Sequence, residues 1–280
     1  MIMDLDIDHL RSWIGREDSA SEVLSPALVR QFNATFDRTS GEAPGDIAPL
    51  LIHFCLAQPA VQTAGLGPDG HAARGGFLPP VPLPRRMWAG GEFTFQGDIR
   101  IGEEVRRVST VRDVVLKQGR TGPLCFVTVN HEVTSDGRPV LNERQDIVYR
   151  EAQNVAGMKT TPAPATAGDH VMQITPSAAY LFRYSAMTFN GHRIHYDKDY
   201  VRDVEGYPGL IVHGPLQATL LCQFAADLKE RAPKSFRFRS LSTIFDTADF
   251  TVNAQTEGET MKLWTAQLGG PVAMEATAAW

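Results

Sequence analysis

Cysteine is scarce in this 280-residue chain: Cys55, Cys125 and Cys222 stand far apart, with no C-x-x-C pair. An odd number at such spacing argues against a disulfide framework and a thiolate metal site, and the three read as buried free thiols of a reducing cytoplasm. Long apolar runs are missing too, none approaching the ~20 residues that a bilayer span needs. Nor is there an excess of positive charge. The formal net charge is −5, without the basic block that grips a phosphate backbone, so neither nucleic acid nor membrane is an expected partner. The opening residues Met1-Ile2-Met3-Asp4-Leu5-Asp6-Ile7-Asp8 are acidic where a signal peptide is basic, which points to a soluble, cytoplasmic protein.

What the chain does have is apolar content, 43% of its residues, ample for sizeable cores at a length of about two domains. It also has an internal repeat. Ser25-Pro26 opens a helical run through Phe32, and Thr175-Pro176 opens another 150 residues later, placing Phe182 on Phe32. A second pair, Leu50-Leu51-Ile52-His53 and Leu210-Ile211-Val212-His213, recurs at 160 residues. The unit is therefore duplicated, and ten extra residues separate the landmarks in the second copy. That stretch holds Asn190-Gly191-His192-Arg193-Ile194-His195-Tyr196-Asp197.

Each apolar His segment is followed by strand patterns. In the first half these are Glu92 to Phe95, Val105 to Leu116, Leu124 to Val133 and Pro139 to Tyr149, separated by turns such as Gln118-Gly119-Arg120 and Asp136-Gly137-Arg138. In the second half they are Ser235 to Phe245, Phe250 to Thr256, Met261 to Gln267 and Val272 to Ala278. Pro215 to Lys229 is apolar on most of its circumference, the mark of a buried helix. Each half thus reads as a short helix, a loop, a buried helix and a curved antiparallel sheet, an α+β class. The units are expected at 1–150 and 169–280, joined by an Ala, Thr and Pro-rich linker at 151–168.

Asn190, His192, His195, Asp197 and His213 crowd into a short stretch of the second copy. A polar loop added to one copy of a duplicated scaffold is where a site is grafted, which favours His195. His213, following Ile211-Val212, reads equally as a satisfied core histidine. The run from Tyr184 to Asp197, followed by Gly206 to Gly214, resembles the MaoC-like enoyl-CoA hydratases and dehydratases. Their pattern is S-G-D-x-N-P-x-H-x-D, then an apolar stretch ending in H-G. The resemblance implies that His195 is the catalytic histidine, that Asn190 stands at the catalytic aspartate, and that the Gly214 N–H polarises a thioester carbonyl. Asn for Asp, and His192-Arg193 for Asn-Pro, are departures from that pattern. They resemble the double-hotdog branch containing type 2 hydroxyacyl-thioester dehydratases and mesaconyl-C4-CoA or itaconyl-CoA hydratases, where the loop reads F-N-x-H-R-I-H-Y-D. Leu83-Pro84-Arg85-Arg86-Met87-Trp88-Ala89-Gly90-Gly91 supports the same branch.

That resemblance implies a double hotdog, two tandem helix-wrapped sheets forming a pseudo-dimer within one chain, with further homodimerisation left open. It implies a hydro-lyase acting on a short dicarboxyl acyl-CoA, with a place in itaconate degradation; straight-chain enoyl or 3-hydroxyacyl thioesters are the alternative. CoA is then a handle of the substrate, and no separate cofactor or metal is expected. Hydration needs a base, a group that aims the water and a donor for the thioester oxygen. His195, the Asn190 amide and the Gly214 N–H at a helix start suit these roles. Phe54, at the position of Gly214 in the first half, is expected to leave that hotdog inactive. Arg85, Arg86, Arg183 and Arg193 are candidates for CoA phosphates, and Arg183 or Arg193 for a substrate carboxylate. Trp88 reads as an adenine platform or core packing, and Tyr184 and Tyr196 as pocket lining or loop support. Two other classes stay open: an iron site from His195, Asp197 and His213, and a non-catalytic acyl-CoA binding module.

Overall fold

The computed structural model describes residues 5–119, 122–151 and 162–280. Residues 1–4 of the acidic opening, Arg120 of the expected turn and 152–161 of the expected linker lie outside the described residues. After a short helix α1 (Ile7–Arg11) and strand β1 (Glu17–Val23), helix α2 (Pro26–Thr35) starts where the Ser-Pro signal placed it, with Ser25 Oγ accepting from Leu28 N at 3.2 Å. Strands β2 (Arg85–Phe95), β3 (Glu104–Gly119), β4 (Gly122–Ser135) and β5 (Arg138–Arg150) complete the first half. The second half comprises β6 (His170–Ile174), α3 (Ala178–Met187), α4 (Lys198–Asp203), α5 (Gly214–Lys229), β7 (Ser235–Ser240), β8 (Phe250–Glu257), β9 (Thr260–Gln267) and β10 (Val272–Ala279).

All ten strands form one antiparallel sheet in the order β1-β3-β4-β5-β2-β7-β10-β9-β8-β6. The order reads as two mirrored halves meeting at β2 and β7, where Phe93 pairs with Phe236 and Gly91 with Phe238. Helix α5 packs on β7 to β10, and its Leu216, Ala218, Leu221 and Cys222 are buried. The main core draws on both halves, joining Val29, Phe32, Ile52 and Phe93 to Leu181, Leu221, Phe236 and Met274. A smaller core under α1 contains Leu10, Leu83, Val114, Val127 and Tyr149. All three cysteines are buried free thiols. No helix among the described residues is long and apolar enough to cross a membrane.

Four sequence expectations need correction. Ser177 rather than Thr175 caps α3, its Oγ accepting from Tyr180 N at 3.2 Å. The two helix caps are thus 152 residues apart, so buried Tyr184 and not Phe182, which is 61% exposed, occupies the place of buried Phe32. Among its described residues the first half has no central helix. Ile52–Cys55 makes only a 3-10 turn, because Ala57 turns left-handed at φ 51° and Pro59 cannot donate to a continuing helix. The chain instead runs irregularly through a Pro and Gly-rich stretch to β2. β7 is shorter than expected, ending at Ser240. Strands β1 and β6 escaped notice because they lie at the sheet's two ends, mostly exposed and without apolar alternation. The tail of the expected linker is tied down, since Ala165 N donates to Gly270 O at 2.8 Å and Trp264 Nε1 to Thr166 O at 3.2 Å.

Candidate active site

The insertion of the second copy forms a loop between α3 and α4. Asn190 turns it: its N–H donates to Ser185 O at 2.8 Å, and its side-chain oxygen accepts from His192 N at 3.0 Å. The Asn190 amide NH2 has no partner among the described residues. His195 sits on the 3-10 turn Arg193–His195 and is buried. Its Nδ1 lies 2.7 Å from Ile211 O. A carbonyl only accepts, so Nδ1 carries the proton and Nε2 presents a lone pair.

His213 lies directly behind. Its ring stacks on His195 with centroids 3.6 Å apart, and its Nε2 is 2.8 Å from Ser185 Oγ. At 0% exposure it backs His195 as a platform. Tyr184, expected to line the pocket or hold the loop, is buried edge-on against His213 at 5.0 Å and does the latter. Tyr196 is exposed and its hydroxyl donates to Gly191 O at 2.9 Å, again loop support.

Gly214 is the first residue of α5, and His213 at the cap position makes no side-chain cap bond. The first-turn N–H groups therefore lack intrahelical acceptors at the positive end of a 16-residue helix. A Cβ at Gly214 would stand 2.9 Å from Trp88 Cε3. Trp88 is thus a wall of this site, packed on Phe238 at 4.6 Å and Phe54 at 5.8 Å, which favours packing over adenine stacking. In the first half His53 is bonded to buried Glu143 at 3.1 Å, and Phe54, at the sequence position corresponding to Gly214, stands edge-on to Trp88 at 5.8 Å.

The first half also delivers a segment that sequence reasoning missed. Arg193 donates from its backbone N to Asp69 O at 2.9 Å and from Nη1 to Pro68 O at 3.0 Å. Gly70, at φ +86°, meets Gly191 backbone to backbone. The Asp69 carboxylate lies 3.0 Å from His71 Nδ1, His71 packs on His192 at 4.0 Å, and His192 stands edge-on to His195 at 5.5 Å. Four of the eight histidines thus form a row, His71, His192, His195 and His213. The one sequence signal was a histidine two residues after an aspartate in a glycine-rich stretch, and no local spacing links it to residues 120 positions later.

The four candidate arginines separate clearly. Arg85 is held by Glu205 and donates to its backbone oxygen at 3.0 Å. Arg193 is held by Asp197 at 2.8 Å and lies over the Tyr200 ring. Arg183 is exposed and reaches Ala34 O at 3.4 Å. Arg193 is therefore engaged by its own carboxylate, whereas Arg183 makes a long bond to a backbone oxygen and has no carboxylate partner among the described residues. Arg86 lies near enough to the Tyr149 hydroxyl, His71 and His192 to act on them electrostatically, and has no carboxylate partner among the described residues.

The iron triad does not assemble, because Asp197 is spent on Arg193 and on capping α4 through Tyr200 N at 3.0 Å. A different set, Asp69, His71 and His192, has ligand atoms within 4.8 Å of one another. Arg86 and Arg74 act on His71 there, so two guanidiniums oppose one carboxylate, and the place favours an anion over a cation.

Burial pushes the His195 pKa down to about 4 against the opposing Ile211 hydrogen bond, and holds His213 well below its ordinary value. Both rings are neutral in the fold at neutral pH, whereas the unfolded chain protonates them near pH ~6.5. The unfolded state then binds more protons below that pH, so their contribution is intact above about 6.5 and falls as pH drops, for His195 until about 4. Each group removes about 1.4 kcal/mol per pH unit in this window, roughly 3 kcal/mol for the pair. We expect the urea midpoint to fall steeply from pH 6.5 to 4.5; a flat profile would contradict neutral burial.

One continuous sheet with a single central helix, and a neutral histidine beside that helix's uncapped start, define the double-hotdog class of hydro-lyases. Residues 51–246 match the profile of the hydroxyacyl-thioester dehydratase type 2 family. The chain is 39% identical to the mesaconyl-C(4)-CoA hydratase of Chloroflexus aurantiacus, covering 95% of this chain and 96% of that one. The protein therefore belongs to the hydroxyacyl-thioester dehydratase type 2 family and is an enzyme of the hydratase and dehydratase type. Among solved structures, a MaoC-like dehydratase from Phytophthora capsici aligns with a TM-score of 0.72 at 13% identity, covering 99% of this chain and 98% of that one. A double-hotdog protein of Mycobacterium tuberculosis aligns at 0.58 and 11%, covering 95% and 96%. At such identities these two speak to the fold alone.

Proposed function

We propose that the enzyme reversibly hydrates a short unsaturated dicarboxyl acyl-CoA, mesaconyl-C4-CoA or itaconyl-CoA, to citramalyl-CoA in the cytoplasm, with CoA as the substrate's handle and no further cofactor. The observation that carries the reading is the His195 Nε2 lone pair beside the open start of α5. In the hydration direction His195 Nε2 accepts a proton from water as the water oxygen bonds to the β-carbon. With mesaconyl-C4-CoA, whose double bond is conjugated with the thioester, the π pair moves toward the thioester, whose oxygen takes the Gly214 N–H, and the proton then passes from His195 to the α-carbon. Asn190 has no titrating group and aims the water through its amide. Phe54 and the His53–Glu143 pair leave no equivalent machinery in the first half.

The dicarboxyl preference is supported by the named hydratase relative and by Arg86, a half-buried guanidinium without a carboxylate partner among the described residues. A charged hydrogen bond contributes roughly 1.5–3 kcal/mol, or about 10- to 100-fold in discrimination. In a panel of enoyl-CoAs we expect kcat/KM for mesaconyl-C4-CoA or itaconyl-CoA to exceed that for crotonyl-CoA by at least that factor, and Arg86→Gln to collapse the ratio. Crotonyl-CoA preferred by the wild type would remove the dicarboxyl assignment and leave the hydratase chemistry standing.

A further inference from the structure

Hydration places one water under several demands at once. Its oxygen must aim a lone pair at the β-carbon, and each of its two hydrogens needs an acceptor in a site that excludes bulk solvent. His195 Nε2 takes one hydrogen, and the Asn190 amide donates to the second lone pair. The remaining hydrogen needs a further acceptor: Asn190 Oδ1 accepts from His192 N at 3.0 Å and diverges within the planar amide from the NH2 that donates to the water, and Asp197 is bonded to Arg193 and Tyr200.

Two rings of the row could serve, since fully buried His213 lies behind His195. Asp69 distinguishes them. Its carboxylate only accepts, so at 3.0 Å it fixes the proton of His71 on Nδ1 and leaves Nε2 as an acceptor. Among the described residues no carboxylate or carbonyl fixes the tautomer of His192 in this way. The segment carrying Asp69 and His71 is held against the catalytic loop by both bonds of Arg193 and by the Gly70–Gly191 contact, so the pair is placed as firmly as the loop itself.

We infer that His71, oriented by Asp69, is a catalytic residue that the first half contributes to the second half's site, accepting the second hydrogen of the attacking water. The inference rests on the hydratase reading above. The bookkeeping closes without an added proton. The O–H facing His195 breaks and that proton ends on the α-carbon, while the O–H facing His71 survives as the product hydroxyl. His71 stays neutral throughout, a state that burial and Arg86 both favour. The carboxylate missing from position 190 is thereby replaced from the other half of the chain, one residue behind an imidazole.

Asp69→Asn separates this role from a structural one. Asn keeps the shape and the hydrogen bond to His71 but donates it, which moves the ring proton to Nε2 and turns the acceptor into a donor. We expect Asp69→Asn and His71→Gln each to lower kcat roughly 10²-fold, with KM changed less than threefold and Tm within a few degrees of wild type. Adding Asn190→Asp to His71→Gln puts an acceptor back beside the water and is expected to restore activity at least tenfold. If Asp69→Asn keeps kcat within threefold of wild type, or Asn190→Asp deepens the loss in His71→Gln, the assignment is wrong. A wild type that hydrates no enoyl-CoA at all would instead remove the hydratase reading beneath it.

Discussion

His195→Ala is expected to lower kcat by 10²- to 10⁴-fold, the span of general acid–base catalysis, with a smaller change in KM. The base is lost while the oxyanion donor remains, since Gly214 N–H belongs to the backbone of α5. The ring is also a packing element, stacked on His213 at 3.6 Å, so a cavity accompanies the substitution. His195→Gln separates the effects, because it refills much of the volume and supplies no base. Asn190→Ala is expected to lose less than His195→Ala, since it removes aim and leaves the proton acceptor. Stopped assays on the preferred enoyl-CoA measure both, and the reverse order would overturn these role assignments.

Gly70→Ala is expected to damage activity and stability together, although position 70 bears no chemistry. Its φ of +86° disfavours any side chain, and an added Cβ would overlap the Gly191 carbonyl oxygen. The left-handed backbone costs an L residue about 1–3 kcal/mol. The overlap adds to this by driving apart the loops that carry His71 and Asn190, and a displacement of about 1 Å costs on the order of 10² in rate. Gly15→Ala is the control, with the same left-handed backbone at φ +87° and nothing within 4 Å of the added carbon. Circular dichroism melts should show both variants lowered, Gly70→Ala by roughly 5 °C or more, and only Gly70→Ala should lose kcat. Equal activity in the two would mean that the glycine contact does not position the loops.

Much of this architecture was legible because its causes are local. The Ser-Pro start, the β-branched alternation and the uninterrupted apolar run of α5 each carry their own signal. The duplication showed in sequence, yet its register slipped by two residues at α3, where Pro176 precedes the cap instead of following it. The absent first-half helix followed from Pro59, but the repeat suggested symmetry more loudly than one proline denied it. In the candidate site, His195, Asn190 and Gly214 lay together on one stretch and could be read together. Asp69 and His71 could not, because only tertiary docking through Arg193 brings them there. The arginines could not be sorted from sequence for a related reason: position near a motif does not tell whether a guanidinium is already engaged, and Glu205 and Asp197 engage two of the four.

The junction of β2 with β7 also sets a timetable for synthesis. Phe93 has to wait for Phe236 before its strand gains that neighbour, an interval on the order of ten seconds at ribosomal speeds. Until then β2 is a bare sheet edge, with Gly90 to Thr94 offering unpaired backbone to any passing strand. A nascent chain stalled or truncated before Ser235 would therefore carry a sticky half-sheet, and chaperone demand should peak while the second half is still being made. The same seam that lets one polypeptide do the work of two subunits leaves its unfinished form the most prone to aggregate.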